Sequence, residues 1–267
     1  MGIRKSYLDA KVGQIHVRSL DAGGAGSRPP LICLHPAPYS GDYFATAMPL
    51  LNDGRRVVAP DYPGYGGSCR LDEPPSISNY ANAVIDSVLA AEAGGQVDLL
   101  GFHSGCLVAA EISLLATDRV RRLVLIDVPY FDAETQKQFY PRVANPLELT
   151  RELECLTKAW DFNVASRKDV VPLARAFDMF VDQLRSGTRD HYCFHAAFTY
   201  DCVARFAEVS VPTTVIATQS PLLAATRAAG AALPHAVFSE IDSITTSVFE
   251  QGAAIIAREI TKALADA

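Results

Sequence analysis

Residues Val97 to Glu111 read VDLLGFHSGCLVAAE, an apolar run, a tight glycine-bearing turn and a second apolar run within a single short stretch. A buried strand passing so abruptly into a helix must turn sharply, and such a turn lifts one side chain above the end of a parallel sheet. Backbone crowds the positions two before and two after that raised side chain, so both must be small. Centred on position 103 those neighbours are Gly101 and Gly105, with Cys106 following. Centred on Ser104 they would be Phe102 and Cys106, and a phenylalanine does not suit the crowded position. The register therefore presents His103 at the tip.

The rest of the chain alternates in keeping with such a sheet. Tyr7 to Leu20 suggest an opening hairpin, because Ile15 and Val17 alternate strictly with His16 and Arg18. A loop with glycine and proline follows over 22–30. Short β-rich runs then recur at 31–34, 57–59, 97–100, 123–126, 213–217 and 237–241. Such near-continuous apolar strands indicate a mostly parallel sheet covered by helices on both faces, an α/β architecture. Tyr80, Val84, Ser87, Val88 and Ala91 mark one covering helix face, and Phe249, Ala253, Ile256, Ile260 and Leu264 mark another. From Phe131 to about Arg205 the alternation stops. That interval reads as helical, with Leu173, Phe177, Phe180, Val181 and Leu184 forming one apolar stripe.

A chain of 267 residues can bury the core of one large domain with an insertion. The formal net charge is −6 and the basic residues are dispersed, which gives no nucleic-acid stripe and no polybasic membrane patch. No apolar run approaches the ~20 residues needed to span a bilayer. The opening MGIRKSYLDAKVG lacks the apolar centre of an export signal, so a cytoplasmic location is expected. Met1 to Ser6 formally fit a myristoylation pattern, with no second membrane signal beside it. The six cysteines have no ligand spacing, and Cys33 and Cys106 lie in apolar runs, which suits buried thiols in a reducing compartment.

Several further segments, in this order, resemble those of the α/β-hydrolase superfamily over nearly the whole chain. LICLHPAP at Leu31–Pro38 resembles the strand and turn that build an oxyanion hole. VVAPDYPGYGGS at Val57–Ser68 resembles the next strand and its Asp-x-Pro-Gly-x-Gly-x-Ser loop. RVRRLVLIDVP at Arg119–Pro129 and VPTTVIATQSPL at Val211–Leu222 resemble the strands that follow. The resemblance implies a core of residues 1–130 and 206–267 with a helical cap over 131–205, whose aromatic rings would roof an apolar pocket. It also implies that His103 stands where the family carries its nucleophilic serine. Ser220 stands at the place of the usual acid, and Thr245–Thr246 replace the usual histidine; His235 precedes the last strand and reads as a surface residue. With all three positions changed, an ordinary Ser-His-Asp mechanism is not expected.

By the same resemblance the oxyanion hole would use the backbone N–H groups of Ala37 and Ser104. Asp127, ending the strand beside the elbow, could orient His103 and make it a general base; its structural alternative is a loop buttress. His35, Tyr39 and His195 are candidates for the substrate pocket. Beside each stands a plainer role: a buried turn histidine, a loop packing residue and a cap-helix residue. His191 and His195 share a helical face, yet no third ligand accompanies them, so no metal site and no cofactor is expected. Asp61 reads as a brace for its own loop. Two functions remain open: an enzyme on a small apolar or aromatic carbonyl compound, hydrolytic or lyase-like, with His103 as base; or a silent binding protein that keeps the pocket. Either takes a small molecule as partner, and a homo-oligomer is left open.

Overall fold

The alternating segment around Ile15 and Val17 pairs as a hairpin. In the computed structural model, which describes residues 2–23, 28–92 and 94–265, β1 (Arg4–Ala10) runs antiparallel to β2 (Gly13–Leu20), with Arg4 opposite Ser19. The remaining strands are β3 (Leu31–Leu34), β4 (Val57–Pro60), β5 (Val97–Phe102), β6 (Val120–Ile126), β7 (Thr213–Thr218) and β8 (Val237–Ile241). They form one sheet in the order β1-β2-β4-β3-β5-β6-β7-β8. β2 meets β4 antiparallel, and every pairing from β4 onward is parallel. The fold is the α/β arrangement expected from the apolar runs.

Helices follow the strands in chain order: α1 (Met48–Leu51), α2 (Ile77–Val84), α3 (Ser104–Leu115), α4 (Ala133–Val143), α5 (Thr157–Asn163), α6 (Leu173–Arg185), α7 (Tyr192–Phe198), α8 (Cys202–Ala207), α9 (Leu223–Ala232) and α10 (Ala253–Ala263). The twofold period of a strand sends β3 to two different cores. Ile32 and Leu34 pack with Tyr80 and Val84 of α2 and Leu107 of α3. Leu31 and Cys33 pack on the opposite face with Phe249, Ile256 and Ile260. Each fully buried aliphatic side chain of this kind stabilises the fold by about 2 kcal/mol. α2 starts on a capping box, in which Ser76 and Asn79 satisfy each other's backbone N–H groups.

Among the described residues between β6 and β7 there are helices and turns but no strand. These helices are fastened to the sheet side by polar contacts. Tyr200 donates to Glu111 of α3 at 2.8 Å, Tyr65 donates to the Asp190 carbonyl at 3.0 Å, and Ser40 donates to Asp182 through both its N–H and its hydroxyl. The stripe read on α6 does not face inward. Leu173, Phe177 and Val181 are exposed, while the buried face of α6 carries Ala176, Met179 and Asp182. The physical reason is that the rings of the stripe pack sideways on Trp160 of α5, with Phe180 at 5.4 Å and Phe177 at 6.4 Å, leaving the inner face to residues that reach the sheet. No helix of the described residues is long and apolar enough to cross a membrane.

Candidate active site

β5 ends at Phe102 and α3 begins at Ser104, so His103 is the whole of the turn between them, with φ 49° and ψ −122°. A left-handed backbone costs a non-glycine residue on the order of 1–3 kcal/mol and persists only where its surroundings enforce it. Here the enforcement is close packing. A Cβ on Gly105 would lie 2.0 Å from the Leu34 carbonyl oxygen, and one on Gly101 would lie 2.6 Å from Cys106 Cα. The two glycines therefore fix the turn at position 103. His103 N–H donates to Ile126 O at 3.1 Å, tying the elbow to the end of β6, and the Phe102 ring lies 4.0 Å from the imidazole.

The His103 ring is half-buried and makes no hydrogen bond among the described residues. Burial lowers its pKa to about 4, and the negative charge of Asp127 opposes that shift. The imidazole is thus neutral at neutral pH and carries one N–H donor and one lone pair. Asp127 is fully buried and itself has a positive φ of 51°. Its carboxylate does not touch His103. Oδ1 accepts from Thr218 N–H at 2.8 Å and Oδ2 from the Thr218 hydroxyl at 2.7 Å. A direct hydrogen bond between His103 and Asp127 is therefore not made, and the Asp127 charge acts on the imidazole without one. The reason lies in the sheet: β6 and β7 are neighbours in register, with Ile126 opposite Ile216, so the end of β7 delivers two donors directly to Asp127.

The two N–H groups expected to form the oxyanion hole differ. Ala37 N–H donates to the Ser104 hydroxyl at 2.8 Å, so it is already engaged. Ser104 N–H, at the first position of α3, has no acceptor among the described residues, as is usual for an opening helix turn. Of the positions that would complete a triad, Ser220 accepts from Leu222 N–H at 3.2 Å, and Thr245 and Thr246 are exposed. His235 is also exposed.

His35 does not line a pocket. It is fully buried, its Nδ1 donates to Pro36 O at 3.1 Å, and its Nε2 accepts from Tyr62 N–H at 3.0 Å. Burial drops its pKa to about 4, and the ring stacks 3.9 Å from Tyr62, so it is a neutral brace of its turn. Asp61 braces the next loop, accepting from His16, Arg18, Gly41 and Gly67. His195 pairs its Nδ1 with the Tyr140 hydroxyl at 2.7 Å, a tie between α7 and α4, and no described contact links it to His103. No group of three or more metal-ligating side chains is present among the described residues.

Tyr39 does reach the side where the helices meet the sheet. Its hydroxyl donates to Asn163 Oδ1 at 2.6 Å and accepts from Arg167 at 3.1 Å. The rings continue inward: Tyr39 lies 5.0 Å from Tyr43, Tyr43 stacks 5.5 Å from Phe102, and Phe102 leads to His103. Burial pushes the Tyr43 hydroxyl up to about 12, and the charges of Arg167, Glu250, Arg175 and Asp127 all reach it. It stays a protonated donor. Sequence reasoning singled out Tyr39 but neither Arg167 nor Thr218, which the structure brings beside Tyr39 and Asp127. Thr218 was findable, since it ends the strand beside the one that ends in Asp127. Arg167 carried no signal, because it lies in a helical stretch without a readable period.

Residues 31–256 match the model of the alpha/beta hydrolase family. A pimeloyl-[acyl-carrier protein] methyl ester esterase of Photobacterium profundum is 35% identical over 116 residues, 42% of this chain and 43% of that protein. A haloalkane dehalogenase of Mycolicibacterium paratuberculosis is 33% identical over 144 residues, 50% of this chain and 46% of that protein. The matched stretches thus span about half the length of these relatives. Among solved structures, the enol-lactonase of Burkholderia xenovorans aligns with a TM-score of 0.79 over 98% of this chain and all of that one, at 19% identity. That likeness is one of fold.

Proposed function

Because the chain belongs to the alpha/beta hydrolase family, we propose that it is an enzyme acting on a small apolar or aromatic carbonyl compound, with residues 131–205 as a cap and His103 as a general base in the place of the nucleophilic serine. The observation that carries this reading is the neutral imidazole held at a strained, glycine-framed elbow, without a hydrogen-bond partner of its own. Strain of this kind is retained where the position does work that the fold alone does not need. In the proposed step the free ring nitrogen takes a proton from carbon or from a bound water, and the Asp127 charge favours the imidazolium that results. Ser104 N–H faces the developing oxyanion, while the Ser104 hydroxyl keeps Ala37 aligned beside it.

Turnover of a panel of activated esters, dienone acids and β-diketones tests this. Activity that His103→Ala lowers by about 100-fold or more supports the base. Activity that this variant leaves intact overturns it. A second reading has its own observation: Asp127 and Ala37 N–H both have partners inside the protein, as in a site that holds a ligand without reacting with it. A ligand that co-purifies, with no turnover on the panel, would favour that reading.

A further inference from the structure

Almost every arginine that reaches inward in this fold has a carboxylate. Arg18 meets Asp61 at 2.6 Å, Arg55 and Arg121 meet Asp98, Arg175 meets Asp42 and Glu250, and Arg205 meets Glu111. Arg167 does not. It is half-buried, its described contacts are the Tyr39 hydroxyl at 3.1 Å and Met179 Sδ at 3.0 Å, and its charge lies over the rings of Tyr39 and Phe162 at 5.9 and 5.5 Å. A hydroxyl, a thioether and two π faces hold a guanidinium in place, but none neutralises it. Withdrawing a charge partly from water without a counter-ion is unfavourable, and a planar fork with open N–H groups matches a carboxylate bidentately.

We propose that Arg167 anchors a carboxylate of the substrate, so that the compound turned over at His103 is an acid whose carboxylate lies several atoms from its reacting carbonyl. This deepens the reading of His103 given above and rests on it only for the reaction, not for the binding. The line of rings from Tyr39 through Tyr43 and Phe102 joins the two ends, and it is the apolar wall along which the middle of such a molecule would lie. Tyr43, whose hydroxyl has no partner among the described residues, stands within reach of both the Arg167 and the Asp127 charges. The two ends of the site therefore differ in sign. A carboxylate is attracted at Arg167 and repelled near Asp127, which sets the orientation of the ligand. Glu250 does not spoil this, because Arg175 and Thr46 already hold it.

The test is a calorimetric titration at pH 7.5 with 4-oxo-4-phenylbutyrate and with its uncharged amide. The acid should bind at least 10-fold more tightly than the amide. Arg167→Met, which keeps the length and the contact with the rings, should abolish that preference while the amide binds as before. Arg167→Lys should retain part of it, and added salt should weaken the acid alone. His103→Ala should remove turnover yet keep the preference, so a failed base and a failed anchor are told apart. Equal binding of acid and amide by the wild type overturns the proposal, as does an undiminished preference in Arg167→Met or no binding of either compound at millimolar concentration. If Arg167→Met does not fold, Arg167→Gln and the salt series on the wild type decide it.

Discussion

Thr218 holds both oxygens of Asp127, one with its backbone N–H at 2.8 Å and one with its hydroxyl at 2.7 Å, and the carboxylate makes no hydrogen bond to His103. Thr218→Val retains the β-branched shape and removes the hydroxyl donor. It should cost about 1–3 kcal/mol by leaving a buried acceptor short of a partner. The released oxygen becomes available to the imidazole, so the His103 titration midpoint should rise from about 4, followed by imidazole NMR. An unmoved midpoint would mean that Asp127 acts on His103 only through its field in any rotamer.

His103→Ser should not produce an esterase. A bare serine hydroxyl is a weak nucleophile, and the positions that would supply its base, Thr245 and Thr246, are exposed threonines. Hydrolysis of p-nitrophenyl acetate should stay within about 10-fold of the uncatalysed background plus the contribution of an oxyanion donor. Robust hydrolysis by this single variant would reveal another base at the elbow.

Asp182 gives the fold an unusual dependence on pH. Burial, outweighing its two bonds from Ser40, raises its pKa from 3.8 to about 6. The folded protein then binds this proton more readily than the unfolded chain, so the contribution is greatest at low pH and is lost as pH rises from about 4 to about 6. The span corresponds to about 3 kcal/mol at most. Urea unfolding at pH 4.5 and 7.5 should show this component as a loss at the higher pH, and Asp182→Asn should flatten it. Other groups titrate over the same range, so the difference between wild type and variant is the quantity to read.

Gly105→Ala should be severe. The added methyl would sit 2.0 Å from the Leu34 carbonyl, a backbone atom with no rotamer to escape into. A loss above about 3 kcal/mol, or failure to accumulate folded protein, is expected. Gly95→Ala is the control, because a Cβ there meets nothing within 4 Å. Its melting temperature should stay within about 2 °C of wild type.

The strands and the elbow could be read from sequence because each has a local cause. Alternation or continuous apolarity marks a strand, and Gly101 with Gly105 marks the one register that backbone crowding permits. Polar partnerships had no such cause. Whether Asp127 turns toward His103 or Thr218 is a choice of rotamer between two neighbours, and composition does not record it. The same holds for the Ser104 hydroxyl, which takes the Ala37 N–H that sequence reasoning left open. His35 looked like a pocket residue because its turn resembles a catalytic one, yet its ring is sealed between Pro36 and Tyr62. The α6 stripe marked its helix correctly but not its orientation, because periodicity identifies an apolar face and not which side the sheet lies on.

The polar ties between the helices after β6 and the sheet have a kinetic meaning. Ser40 with Asp182, Tyr39 with Asn163, Tyr200 with Glu111 and Arg175 with Asp42 are spread along the seam from α5 to α8. Swinging such a seam open as a door would break all of these ties together, at about 1 kcal/mol each. In the function proposed above, a ligand bound beneath this seam would pass by brief, local breathing of side chains, which would slow arrival and departure alike. Small ligands should therefore exchange slowly for their affinity, and a tight seam would make occupancy last long after the free concentration has fallen.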